Sequence, residues 1–246
     1  LNLEQNKAFR NPKRRQAVWL ALDKDELANK VLSDGSKTAS TYVAPRLAKD
    51  PTTGKDFAKE TAPKTTYNLK KAKQLWQEGL KERGQKKVTL TLVSDDQGVS
   101  KNVDQFVQSQ LETKLKGTKV EVHAVPDKDA SDRVSNGNYD MQNTLWLADF
   151  ADPISDFDVL TKTNPQNYGK YASANYNKQV SEAKNVNGDN TKKYWSNMRA
   201  AQKQLNEDMP VVPMYTMTES HLVNPNLKGV LWHSVGETDY TRAEFK

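Results

Sequence analysis

Two carboxylates lie three residues apart at the end of an apolar run. Residues 143–153 read NTLWLADFADP, so Asp149 follows the apolar side chains and Asp152 immediately precedes Pro153. A pair of carboxylates can hydrolyse a glycoside when both groups flank the scissile bond. Two acidic residues this close to a proline more often form a turn. A carboxylate-pair hydrolase that uses Asp149 and Asp152 is therefore an alternative that the sequence does not favour.

The other residues that could perform catalysis are too scattered to form a site. The histidines His123, His221 and His233 lie far apart without metal-ligand spacing, and we interpret them as structural or exposed. The chain has no serine-hydrolase, zinc-protease or nucleotide-binding glycine motif. The acidic stretches at 95–98 and 187–190 lack the ligand spacing of a calcium loop. The sequence thus predicts a protein that is not an enzyme and has no cofactor or metal.

Composition restricts the classes of partner. The 246 residues include 37 basic and 31 acidic side chains, which give a formal charge of +6. Because the lysines are spread along the whole chain and form no stripe, we do not expect nucleic-acid binding. The chain has no cysteine, which excludes disulfides and thiolate metal sites. It begins abruptly without Met, as a piece of a longer protein would.

The elements that must position Asp149 begin with helices. Good N-cap residues predict helix starts at Asn11, Asp23 and Asn68, and Gly35 is the predicted C-cap of the second helix. Residues 36–66 show no hydrophobic period and predict a long surface excursion.

An alternation of strands and helices follows. Alternating apolar residues predict strands at 88–93 and 120–124, with a helix at 101–115 between them. A short helix that ends at 136–137 then leads to a third predicted strand at 141–147. This order is typical of an α/β layer.

The last part of the chain has fewer clear signals. We predict one more helix at 191–208 and a final strand at 209–217, and we interpret residues from 224 onward as loop.

In open α/β sheets, ligands bind outside the carboxyl ends of the strands, and Asp149 falls at such an end. A carboxylate three residues after Trp146 suits an amine-bearing ligand, with the indole as a flat apolar wall. The alternative is that Asp149 caps the following turn and Trp146 belongs to the core. The residues alone slightly favour this alternative.

Three stretches together resemble one protein family. They are AFRNPKRRQAVWLALDKDELANKVL at 8–32, YNLKKAKQLWQEG at 67–79 and NGNYDMQNTLWLADFADPISDF at 136–157. In this order and spacing they are similar to the C-terminal half of the bacterial oligopeptide- and dipeptide-binding proteins. Those proteins are the extracytoplasmic solute receptors of peptide ABC importers.

The resemblance implies a fold and a set of partners. The fold is α/β, the C-terminal lobe of a two-lobed periplasmic-binding-protein-like (type II) fold. Residues 1–223 would form this peptide-binding lobe, and residues 224–246 would return to the missing N-terminal lobe. The implied partners are oligopeptides and the membrane permease subunits of the importer. The implied location is the cell surface, through a lipoprotein anchor outside this sequence, or the periplasm.

The resemblance also assigns roles to residues of the third stretch. Asp149 would pair with the α-ammonium of the peptide, and Trp146 would line the cleft. Leu145 and Leu147, the neighbours of Trp146 in the sequence, would lie with it against the peptide backbone as a strand. Asn143 stands where some relatives carry a basic residue for the carboxylate of a short peptide, so a strict tripeptide preference is not implied. A receptor for a signalling peptide, a nickel complex or a sugar is the alternative within binding proteins.

Overall fold

The computed structural model describes residues 1–4, 7–233, 235 and 238–246 of the chain. Its helices are α1 (Pro12–Ala21), α2 (Lys24–Glu26), α3 (Phe57–Thr61), α4 (Leu69–Glu82), α5 (Gly98–Lys114), α6 (Asp127–Ser135), α7 (Pro153–Phe157), α8 (Ala174–Asn185) and α9 (Thr191–Asp208). A π-helical segment, Leu27–Leu32, continues α2, and 3-10 turns lie at Ala8–Arg10 and Asp158–Leu160. The strands are β1 (Lys37–Thr38), β2 (Val88–Asp95), β3 (Thr118–Val125), β4 (Met141–Gln142), β5 (Tyr215–Thr216), β6 (Leu227–Lys228), β7 (Leu231–Trp232), β8 (Thr238–Asp239) and β9 (Glu244–Phe245).

The three predicted helix starts are confirmed. The side chains of Asn11, Asp23 and Asn68 each accept a hydrogen bond, at 3.0–3.3 Å, from the backbone N–H three residues on. The predicted C-cap of the second helix is wrong. The helix ends at Ser33, which adopts a left-handed conformation with φ of 51°, and Gly35 lies beyond it. The π-helical segment accounts for the early end, because it widens the last turns.

The central sheet is parallel, with strand order β3-β2-β4. The first crossover therefore leads from β2 to β3 on one side of β2, and β4 then pairs with the other side of β2. The carboxyl ends of β2 and β4 meet at this reversal, which is the topological switch point where α/β proteins bind ligands. The predicted α/β layer is confirmed in its order of strands and helices, although α5 begins three residues before its expected start at 101.

Side-chain alternation in β2 distributes the core over both faces of the sheet. Leu90 and Leu92 are buried on the face that packs against α1, α4 and α5. Val93 points the other way and is buried against α6 residues Ala130 and Val134. Helices on both sides explain why the strand is apolar along much of its length.

Two predicted strands are much shorter in the structure. The third strand, expected at 141–147, comprises only Met141–Gln142, because the chain leaves the sheet after Asn143. The final strand, expected at 209–217, comprises only β5, which pairs antiparallel with β1. Pro210 and Pro213 lack an N–H, so the segment before β5 cannot form a continuous ladder.

The sequence analysis missed a second core. The predicted surface excursion at 36–66 carries Phe57, which is fully buried against Phe157 and Trp195 with ring centroids 6.1 and 5.7 Å away. Helix α8, which was not predicted, packs on α9 in the same cluster. The interpretation of 36–66 as surface is therefore wrong, because its isolated apolar residues have no period yet meet partners distant in sequence.

The end of the chain is more regular than the predicted loop. The strands β6 and β9 pair antiparallel, as do β7 and β8. Three residues of this segment, 234, 236 and 237, lie outside the described part of the chain. No helix among the described residues has the length and apolar character needed to cross a membrane.

Candidate functional site

A cleft of about 410 Å³ opens beside the switch point. One wall is the segment 143–148, which follows β4, and the other is the segment 211–217, which contains β5. The predicted site residues Asn143, Leu145, Trp146 and Leu147 all line it. Asp149 does not line this volume and lies one residue beyond Ala148, which does.

The backbone of the first wall has unused hydrogen-bonding groups. Among the described residues, the N–H groups of 144–148 donate no hydrogen bond, although those of Asn143 and Asp149 on either side do. An extended ligand could therefore pair with this segment as a strand pairs with a sheet edge.

The side chains of the same segment are exposed. Leu145 is 50%, Trp146 39%, Leu147 60% and Phe150 51% exposed. Clustered large apolar side chains at a surface mark a binding groove more often than a free face. The alternative that placed Trp146 in the core is therefore wrong.

The two carboxylates of the opening motif have different environments. The Asp149 carboxylate is exposed and, within the described part of the chain, accepts no hydrogen bond and forms no ion pair. Asp152 is the N-cap of α7, accepting from the Ile154 N–H at 2.9 Å, and it also accepts from the Tyr194 hydroxyl. The turn is therefore capped by Asp152, and the alternative that Asp149 caps it is wrong.

Asn143 joins the ends of the central strands. Its Nδ2 donates to the buried Asp104 carboxylate of α5 at 3.0 Å, and Ser94 at the end of β2 donates to the same carboxylate. Burial raises the pKa of Asp104. The Asn143 amide is thus engaged within the protein and fixes the start of the exposed segment.

Trp146 is held by a hydrogen bond to a carboxyl group that the sequence analysis did not predict. Its indole Nε1–H donates to Oδ1 of Asp156, in α7, at 3.1 Å. Asp156 is only 3% exposed and lines the cleft. Burial raises the pKa of Asp156 to about 7, while the indole hydrogen bond opposes the shift and the nearby Asp149 charge adds to it. The spacing of ten residues from Trp146 gave no sequence signal for this contact.

Two histidines that were interpreted as structural or exposed line the cleft. They are His221 and His233, and the His221 ring stacks on Trp232 with centroids 3.7 Å apart. No group of three or more metal-ligating side chains occurs among the described residues.

The fold and the cleft define the class of protein. The profile described as "Bacterial extracellular solute-binding proteins, family 5 Middle" matches residues 1–168. The chain belongs to this family, so the family resemblance read from the sequence is confirmed.

Individual relatives agree. The chain is 31% identical over 236 residues to a dipeptide-binding protein of Lactococcus lactis subsp. cremoris, covering 95% of this chain and 42% of the relative. It superposes with a TM-score of 0.88 on Listeria monocytogenes OppA bound to peptide, at 28% identity, covering all of this chain and 47% of that one. A peptide ABC transporter peptide-binding protein matches with a TM-score of 0.84 and 36% identity, covering 87% of this chain and 95% of that chain.

These matches confirm the predicted fold class, the C-terminal α/β lobe of a two-lobed, type II binding protein. The chain spans about two fifths of the length of the curated relatives that it matches.

Proposed function

We propose that this chain is the peptide-binding lobe of the substrate-binding receptor of a peptide ABC importer. In this proposal the receptor captures oligopeptides by pairing with the backbone of 144–148 and by an ion pair between the ligand ammonium and Asp149. The protein is not an enzyme and acts outside the cytoplasmic membrane. The observation that carries the proposal is the run of N–H groups at 144–148 along the cleft wall, which donate to no group of the described residues.

Backbone pairing supports a ligand of variable sequence. Every peptide offers the same N–H and C=O groups, so an open strand edge provides affinity without reading side chains. Leu145 and Leu147 flank this edge and are half-exposed, which leaves room for ligand side chains and bridging water.

The Asp149 carboxylate supports the ammonium contact. An α-amino group has a pKa of about 7.7–8.0 and is mostly protonated at neutral pH. Asp149 has no cationic partner among the described residues, so a ligand would supply the missing countercharge. Asp152 caps α7, which supports its interpretation as a turn residue over a role in a carboxylate-pair hydrolase.

The end of the chain supports the two-lobe arrangement. Residues 1–223 form the lobe in this proposal, and residues 224–246 complete a second lobe of the same protein. Among the described residues, the large apolar side chains of this segment are exposed, namely Leu231, Trp232, Tyr240 and Phe245. Such side chains are expected to be covered by another part of the protein.

A double cycle tests the ammonium contact. Calorimetry measures the binding of pentaalanine, with a free or an acetylated N-terminus, to the intact receptor and to its Asp149→Asn variant. Each change alone should weaken binding by roughly 2–5 kcal/mol, the cost of breaking a buried charge-assisted contact. The two losses should not add, since both remove one interaction.

Asp158→Asn is the matched control, because Asp158 pairs with Lys184 at 2.8 Å and does not line the cleft. Additive losses, or normal binding by Asp149→Asn, would refute the assignment of Asp149. A panel of unrelated pentapeptides separates the nutrient receptor from a signalling-peptide receptor, which would bind only one of them.

A further inference from the structure

The contact between Trp146 and Asp156 is the most unusual polar contact of the cleft. A carboxyl group that is 3% exposed receives one hydrogen bond, from an indole that is itself 39% exposed. Buried carboxylates are normally paired with a cation or several donors. Asp156 forms no ion pair with any described residue.

Among the described residues, no positively charged side chain acts on the Asp156 carboxyl group. Besides burial, the charge of Asp149, which precedes α7, raises the pKa of Asp156. Besides burial, the Asp156 charge in turn raises the pKa of Tyr42, in the segment before α3, and of Tyr176, in α8. Across the cleft, the charged or titratable lining residues are Tyr215, Glu219, His221 and His233. A cation that binds at Asp149 would therefore add favourable charge for the ionised form of Asp156.

We propose that Asp156 is a positioning residue that fixes the Trp146 indole as the wall of the cleft and couples ligand binding to proton release. With the cleft empty and the pH below about 7, the Asp156 carboxyl carries a proton and still accepts the indole hydrogen bond through Oδ1. When a ligand ammonium arrives beside Asp149, the negative charge of Asp149 is compensated and Asp156 ionises. The released proton passes to the buffer. The coupling rests on the proposed function, whereas the positioning of Trp146 does not.

The positioning is tested on the chain without ligand. In the ¹⁵N-labelled protein, the indole N–H resonance of Trp146 is identified by its loss in Trp146→Phe, which separates it from the other four tryptophans. Its chemical shift should titrate with a midpoint near pH 7, where burial places the Asp156 carboxyl. The titration should vanish in Asp156→Asn, which keeps the acceptor oxygen but not the charge, and persist in Asp158→Asn.

Persistence of the titration in Asp156→Asn would assign it to another group and overturn the proposal. If Asp156→Asn fails to fold, a second variant, Asp156→Glu, replaces it. In that variant the titration of the Trp146 resonance should persist with a shifted midpoint.

The coupling is tested on the intact receptor at about pH 6, where the ligand ammonium is already protonated and contributes no proton change. Pentaalanine binding measured in two buffers of different ionisation enthalpy should release a fraction of a proton from the wild type and none from Asp156→Asn. Equal heats in both buffers for the wild type would refute the coupling. Absence of any peptide binding would refute the proposed function instead, and the resonance of Trp146 would still decide the positioning.

Discussion

Replacing Asp156 with asparagine should change how the stability of the protein depends on pH. Burial raises the pKa of Asp156 from 3.8 to about 7, so the folded state binds more protons than the unfolded state between these values. The free energy of unfolding contributed by this group is then fully present below about pH 4 and is lost as the pH rises to about 7. The amide of the Asp156→Asn variant cannot titrate, so the variant lacks this loss.

The magnitude follows from the shift. Each pH unit in the window corresponds to about 1.4 kcal/mol for one group. Because Asp156 lines the cleft, water can partly solvate its charged form. We therefore expect a smaller loss of unfolding free energy than the full shift in pKa would give. Between about pH 5 and pH 8, the variant should gain roughly 2–3 kcal/mol of unfolding free energy relative to the wild type.

Urea unfolding at about pH 5, 6, 7 and 8, followed by far-ultraviolet circular dichroism, measures this difference. Comparing the variant with the wild type at each pH cancels the titration of all other groups. Asp158→Asn is the control, because its exposed pair with Lys184 should contribute at most about 1 kcal/mol and little pH dependence in this window. Parallel stability profiles for wild type and Asp156→Asn would refute the argument from burial.

Three further outcomes follow from the described structure. Arg199→Met should lower the unfolding free energy by about 3–5 kcal/mol, because it leaves the fully buried Asp50 without its cation, and urea unfolding measures the loss. Gly117→Ala should cost more than Gly54→Ala in the same assay, by at least about 1 kcal/mol. Both glycines have positive φ, but only at Gly117 would a Cβ meet backbone, the Lys86 oxygen at 2.5 Å. Pentaalanine titrated into this chain alone should bind with millimolar Kd or weaker in calorimetry, since one lobe leaves the peptide half solvated, and micromolar binding would contradict the two-lobe cleft.

Local signals in the sequence determined three capped helix starts and the α/β layer. Asn11, Asp23 and Asn68 cap their helices through side chains that act within three residues, so neighbouring letters suffice to predict them. The alternation in β2 likewise records burial on both faces. The three family stretches added the fold class, because their order and spacing are carried by the sequence itself.

The extent of β4 was decided only by the tertiary structure. Residues 143–147 have strand-like composition, but the last hydrogen bond to β2 is that from the Asn143 N–H to the Val93 oxygen, and the chain then leaves the sheet. The same residues therefore become an exposed wall. The apolar pattern could not distinguish a buried strand from an unpaired one that faces a cleft.

The surroundings of the site also came from the tertiary structure. The indole of Trp146 meets Asp156 because α7 turns back under the segment, and His221 reaches the cleft from a distant part of the chain. A residue's type gives its chemistry, and its nearest neighbours in sequence give its local geometry. Burial and the charges of distant groups set the pKa of Asp156, and both depend on how the whole chain packs.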